Sequence, residues 1–209
     1  MKKKISYFEK LSKKINDPSE TSNKKSIKYL NKELAFIRKY VSKDSEIIDI
    51  GSGTGLVVNR LFKDVRSIVA VEPFPGLSRF IVDDEKVLVI NAELTSFYIR
   101  KKFDFAVCTG VSQFFKKEDI KKIYRNIYTM LKAEGALLMR AHCGLENDVV
   151  VNGYSEELDA DYYAEYRHLE KEVELLKQAG FKEVNVFDEV SEELNVWKNT
   201  RHFYFVCKK

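Results

Sequence analysis

Residues 48–55 read Ile48-Asp49-Ile50-Gly51-Ser52-Gly53-Thr54-Gly55, and the fold turns on them. The β-branched run from Glu46 to Ile50 predicts a buried strand. Glycines let the backbone turn tightly and come close to a ligand. The helix predicted next, over 56–62, would point its free N–H groups at that ligand. Ser67 to Glu72 reads as a second buried strand, stopped by Pro73 and Pro75. Glu72 ends it 21 residues after Gly51, the spacing of an acidic side chain that takes ribose hydroxyls. Strand, glycine turn, helix and acidic strand end together predict a nucleoside-containing cofactor. A nicotinamide dinucleotide fits less well, because the third glycine stands one residue early, at Gly55. A phosphate loop would need Gly-Lys-Ser/Thr, which is absent.

The pattern repeats outward from this turn. Strands are predicted over 86–90, 103–108 and 135–139, and a helix over 117–132. Before the turn, Ile27, Leu30, Leu34, Ile37 and Val41 line one face of a helix. Such alternation predicts an α/β fold, a parallel sheet with helices on both faces, with ligands outside the carboxyl ends of the strands. Residues 143–163 lack clear periodicity, and Asn152-Gly153 is a turn signal. A helix is predicted near 165–179, ended by Gly180, and two strands over 181–187 and 201–207. The predicted organisation is an N-terminal helical arm over 1–43 and a core over 44–209, with an insert near 143–163.

Several motifs in this order resemble class I S-adenosylmethionine-dependent methyltransferases. Asp49-Ile50-Gly51-Ser52-Gly53-Thr54-Gly55 followed by Val71-Glu72-Pro73 resembles that family's first two motifs. Ile90-Asn91-Ala92-Glu93-Leu94 resembles its G-D-A-E-x-L turn, and Phe103 to Val111 its fourth strand. Leu131 to Leu138 resembles L-K-P-G-G-x-L-L, and Leu176 to Phe181 resembles L-x-x-A-G-F. The resemblance implies a Rossmann-like seven-stranded sheet in the order 3-2-1-4-5-7-6, its last strand antiparallel. It also implies S-adenosyl-L-methionine as cofactor, leaving S-adenosyl-L-homocysteine. Asp49 and Gly51, Ser52, Gly53, Thr54 and Gly55 would hold the methionine part. Glu72 would take the ribose hydroxyls, and Pro73 and Phe74 would pack on the adenine. Asn91, Ala92 and Glu93 would border the adenine edge, with Asn91 standing where the family commonly has Asp. Cys108, Thr109 and Gly110 would meet the amino-acid end. The segment Tyr7-Phe8-Glu9-Lys10-Leu11 resembles the family's lid helix.

For the acceptor, the loops at the carboxyl edge supply candidates. His142, placed just after the fifth strand, is the candidate base, since imidazole titrates near neutrality. Glu146 and Asp148 are further acids in that loop. Gln113, Arg140, Tyr154 and Arg201 are candidate acceptor ligands, with Tyr162 and Tyr163 also in the insert. The four-residue turn of the family's amino-methylating nucleic-acid enzymes is absent after strand four, where Cys108-Thr109-Gly110-Val111 stands, so that class, and DNA with it, is not expected. A small-molecule acceptor is expected, its methylated atom a hydroxyl oxygen or an amine nitrogen. RNA methylation, a nicotinamide-dependent oxidoreductase and a cofactor-binding member without catalysis are the alternatives.

Composition bounds the rest. The 209 residues are 44% hydrophobic and 33% charged, which suits one soluble domain. No apolar run is long enough to span a bilayer, so no membrane is expected. The start has a basic segment but no apolar one, so the cytoplasm is the expected compartment. Three cysteines without a C-x-x-C pair, and no His/Asp constellation, predict no metal site. Residues 1–43 carry 13 Lys and Arg against 4 Asp and Glu, whereas residues 146–194 carry 4 against 15. The basic arm favours a sugar, nucleotide-sugar or other phosphorylated acceptor. It also predicts attraction between the arm and the acidic insert.

Overall fold

The computed structural model describes residues 7–21, 24–190, 192–195 and 197–209. Its centre is a seven-stranded sheet of β1 (Glu46–Ile50), β2 (Ser67–Val71), β3 (Val87–Ile90), β4 (Phe103–Thr109), β5 (Leu131–Gly144), β8 (Glu183–Phe187) and β9 (Thr200–Lys208). The order is β3-β2-β1-β4-β5-β9-β8. With the two hairpin strands described below numbered apart, this is the order implied by the sequence resemblance. Strand β9 runs antiparallel to both β5 and β8. The neighbours of β1 are β2 and β4, so successive connections leave it in opposite directions. A crevice opens there, at the carboxyl ends of the strands.

Alternation along the strands divides the core. In β1, Ile48 and Ile50 face one layer, while Ile47 faces the other. The first layer holds α5 (Lys117–Met130) and α6 (Leu169–Ala179), whose Ile120, Ile123, Tyr124 and Ile127 are all buried. Each such aliphatic side chain contributes about 1.5–3 kcal/mol by leaving water. The second holds α2 (Lys24–Arg38), with Leu30, Leu34 and Ile37 buried, and α3 (Val58–Leu61). The arm also contributes α1 (Tyr7–Lys14), and α4 (Pro75–Ser78) follows β2. The side chain of Ile27, predicted to share the apolar face of α2, lies outside the described residues. No helix among the described residues is long and apolar enough to cross a membrane.

The structure departs from the sequence reading in three places. The helix after the glycine turn is short, Val58–Leu61, and tightens into a 3-10 turn at Phe62–Asp64. Strand β5 does not stop at Met139 but pairs with β9 as far as Gly144. The aperiodic segment is a hairpin of β6 (Val149–Ser155) and β7 (Ala160–Tyr166), with Asn152 and Gly153 inside β6 opposite Tyr163 and Tyr162. The chain reverses instead over Glu156–Asp159, where Asp159 takes a positive φ of 47°. Asp tolerates that conformation, which explains a turn with no glycine.

Candidate active site at the carboxyl edge

The glycine turn is held from both sides. Gly51 donates its N–H to the Val71 carbonyl at 2.8 Å, so the turn begins by pairing with β2. Its φ is +74°, and a Cβ there would stand 2.6 Å from Val111 Cγ2. Gly53, at φ +55°, faces open space. Across the turn, Glu72 accepts the N–H of Gly53 on Oε2 at 2.9 Å and that of Phe74 on Oε1 at 3.1 Å. Asn91 steadies the strand end by donating its Nδ2 to the Glu72 carbonyl and to Ser78 Oγ, each at 2.8 Å.

Gly51, Gly53, Glu72 and Phe74 border a cavity of about 470 Å³. Its wall carries the carboxylates Glu33, Asp49 and Glu72 against one guanidinium, Arg140. Burial, then the charges of Glu33 and Glu72, raise the Asp49 carboxyl to about 8. Burial likewise raises Glu72. Such an acidic wall suits a cationic ligand. Two buried polar atoms on the wall have no hydrogen-bond partner among the described residues, Ser52 Oγ and Gln113 Oε1. A buried polar group left unpaired costs free energy, so the wall is shaped for a polar occupant.

The other end of the cavity is assembled from distant parts of the chain. Phe8 of α1 meets the Phe114 ring edge-on at 4.6 Å, and Tyr7 meets Tyr162 of β7 at 5.2 Å. Lys10 and Lys14 pair with Asp159 at 2.8 Å and Glu157 at 3.0 Å, at the hairpin turn. Thr54 Oγ1 donates to the Pro18 carbonyl at 2.8 Å, tying the arm to the glycine turn. Beneath, the buried Arg167 donates to the carbonyls of Ser112 and Phe115 at 2.6 and 2.8 Å, and to Glu172 at 2.6 Å. Tyr124 donates to the same Glu172 carboxylate. Arg167 thus fixes the segment that presents Gln113, Phe114 and Phe115 to the cavity.

The structure brings together Asp49, Gly51, Ser52, Gly53, Thr54, Glu72, Pro73, Phe74, Thr109, Gly110, Gln113 and Arg140 on one wall. Tyr7 is not on this wall; its ring packs against Tyr162 at the other end of the cavity. Gly55 closes the turn by donating to Ser52, and a Cβ on it would meet Ile81 Cγ1 at 2.7 Å. Asn91 and Ala92 lie off the wall, and Glu93 borders an outer groove with Glu9 and Arg79. Cys108 is fully buried in the core, where burial raises its thiol far above the ordinary range.

Five residues expected at the acceptor are placed elsewhere. Because β5 continues, His142 is a strand residue opposite His202, not a loop residue at the cavity. Its ring stacks on His202 at 3.9 Å, and Nε2 meets Thr200 Oγ1 at 2.8 Å. Burial and the neighbouring Arg140 lower it to about 4. Arg201 is spent on Asp188 and Glu192. Tyr154 is 59% exposed and donates to Asp159. Asp148 accepts from the His168 N–H and Lys171, off the cavity wall. Glu146 is exposed.

Glu33, Phe114 and Phe115 join the wall without having been predicted. Glu33 left a readable mark, since it stands three residues after Leu30 on the apolar stripe of α2. A charge on such a stripe is rarely buried without a partner.

Comparison with known proteins agrees with this geometry. The methyltransferase-domain family matches residues 48–139. Carboxy-S-adenosyl-L-methionine synthase of Nautilia profundicola is 22% identical over 184 residues, covering 75% of this chain and 78% of that protein. Among solved structures, the glycopeptide N-methyltransferase MtfA, in complex with S-adenosyl-L-homocysteine, superposes with a TM-score of 0.69 at 10% identity. That likeness covers 86% of this chain and 89% of MtfA. Phosphoethanolamine N-methyltransferase 2 of Haemonchus contortus gives 0.66 at 16% identity, over 86% of this chain and 52% of that one.

Proposed function

We propose that this chain is a class I S-adenosylmethionine-dependent methyltransferase, as its match to the methyltransferase-domain family over residues 48–139 supports, and that it moves a methyl group to a hydroxyl or amine of a small-molecule acceptor. The observation that supports it is a single cavity joining the glycine turn and Glu72 to an aromatic far end. The family cofactor supplies a methyl group on a sulfonium sulfur. Gly51, Ser52 and Gly53, with Asp49 beside them, would hold its methionine part, and Ser52 Oγ is free to do so. Each Glu72 oxygen accepts one backbone N–H and keeps a lone pair for a ribose hydroxyl. Phe74 and Leu94 would flank the adenine.

The acceptor would sit against Phe8, Phe114, Phe115 and Tyr162. There the chain's contribution is alignment: two partners held in line and sheltered from water react faster without a covalent intermediate. Among the described residues no histidine lines the cavity, so a proton lost from a hydroxyl acceptor would pass to a wall carboxylate. An amine attacks in its neutral form and asks less of the wall. The described lysines of the arm do not turn inward for a phosphate, since Lys10 and Lys14 are engaged by Asp159 and Glu157. We assign α1 and the β6–β7 hairpin the role of a lid.

Calorimetric titration with S-adenosylhomocysteine and with NAD tests the cofactor assignment. Binding of the first and not the second is expected; the reverse would sink it. Methyl transfer from labelled cofactor to a panel of small amines and hydroxyl compounds tests the acceptor class. Transfer to RNA alone would replace it.

A further inference from the structure

Arg140 and Arg201 look alike in the sequence, yet they end in opposite situations. Arg201 is neutralised by two carboxylates at the surface. Arg140 is set into β5 beside Thr109 of β4 and Tyr204 of β9, at the carboxyl edge. Its Nε donates to Glu33 Oε1 at 2.7 Å. The Nη groups donate to no described residue, and both Arg140 and its neighbour Gly110 line the cavity. Nη2 stands 3.3 Å from where a Cβ on Gly110 would sit, so a glycine there leaves the guanidinium its room.

A half-buried guanidinium held by one side-chain bond keeps its other N–H donors for a ligand. A ligand that fills the cavity and shuts water out must itself accept from them, because leaving such donors unpaired is costly. The planar fork matches a carboxylate, which receives two parallel N–H bonds. Glu33 already balances the guanidinium, so the site tolerates a singly charged planar carboxylate better than a doubly charged phosphate. We propose that Arg140 is the receptor for a carboxylate in the cavity, brought by the amino-acid end of the cofactor or by the acceptor. This rests on the methyltransferase reading and deepens it. Phe114 and Tyr162 on the same wall give a carboxylate-bearing acceptor an apolar surface for its body.

The test uses calorimetry on the wild-type chain, Arg140→Met, Arg140→Lys, and the double variant Arg140→Met with Glu33→Gln. The probes are S-adenosylhomocysteine, methylthioadenosine (which lacks the amino-acid end), and phenylacetate added to protein saturated with S-adenosylhomocysteine. If the cofactor brings the carboxylate, Arg140→Met weakens S-adenosylhomocysteine by about tenfold or more and leaves methylthioadenosine unchanged. If the acceptor brings it, both nucleosides bind as before and phenylacetate binding is lost. Lys should restore part of either loss, because it keeps the charge without the fork. The double variant separates loss of the guanidinium from the stranding of Glu33, and the loss should persist in it. Full recovery in the double variant overturns the proposal. So does unchanged S-adenosylhomocysteine binding together with phenylacetate binding that is absent from wild type or equal in Arg140→Met. Failure of S-adenosylhomocysteine to bind wild type would instead reject the methyltransferase reading.

Discussion

The two ends of the cavity are built by different rules. The glycine-turn end is local: one strand, one turn and the end of the next strand, with Glu72 accepting from Gly53 and Phe74. The far end joins α1, the segment around Gln113 and a hairpin from beyond residue 148, and it is held by side chains. Backbone conformation shapes the first, so it should keep its shape when side chains change. Buried charge and surface ion pairs shape the second, so it should yield to substitution and salt.

The largest effect expected is at Arg167. Arg167→Met would strand Glu172 in the core and free the carbonyls of Ser112 and Phe115. Breaking a buried pair on one side costs about 3–5 kcal/mol. Chemical denaturation should show that loss. A variant of wild-type stability would mean that the far end does not rest on Arg167. Next comes Glu72→Gln, which keeps the outline of the side chain but removes the charge and sets an NH2 against one of the two backbone N–H groups that Glu72 accepts. Cofactor affinity should fall by about 1.5–3 kcal/mol, with stability moving less. Equal losses in both would show that the turn also needs its side chains, and the distinction between the ends would blur.

This contrast also explains what the sequence disclosed. Glycines at positive φ and an acidic residue ending a strand are constraints written in neighbouring positions, so Gly51, Gly53 and Glu72 could be read. The sheet order came with the family resemblance, which the motifs carried by their order along the chain. The hairpin could not be read, since its turn at Glu156–Asp159 contains no glycine and Gly153 pointed to the wrong place. His142 was misplaced because nothing local says that β5 runs on to Gly144; its pairing with the distant β9 decides that. Glu33 and Arg140 stand 107 positions apart, and only the packing of α2 over β5 brings them together.

A third effect, of intermediate size, follows from Asp49. Its folded-state value is raised from the ordinary carboxylate range to about 8, so the folded chain holds a proton there that the unfolded chain has lost. The stability this contributes is fully present below the ordinary carboxylate value and is lost as pH rises toward 8. A sulfonium cofactor favours the ionised carboxylate, so its affinity should rise with pH, by up to about tenfold per unit, and level off above 8. The uncharged sulfide product should show a weaker slope, and Asp49→Asn should flatten the difference. Titrations from pH 6 to 9 check this; equal slopes for both ligands would remove Asp49 from the electrostatics of the site.

The smallest effect concerns the lid, and it separates the two ends most cleanly. Lys10–Asp159 and Lys14–Glu157 are exposed pairs, so each holds weakly and both are screened by salt. The screening length falls from about 10 Å at 0.1 M to about 3 Å at 1 M salt. Hydrogen exchange over residues 7–14 should therefore quicken a few-fold across that range. Exchange at Gly51 and Gly53 should stay as it was, because their N–H groups are held by the Val71 carbonyl and by Glu72 inside the site. Replacing Lys10 and Lys14 with Ala should bring the helix to its high-salt rate at low salt. If salt has no effect on α1, then the ring contacts of Phe8 and Tyr7 alone hold it. The far end would then be fastened as apolar packing is, and only its buried half, around Arg167, would remain electrostatic.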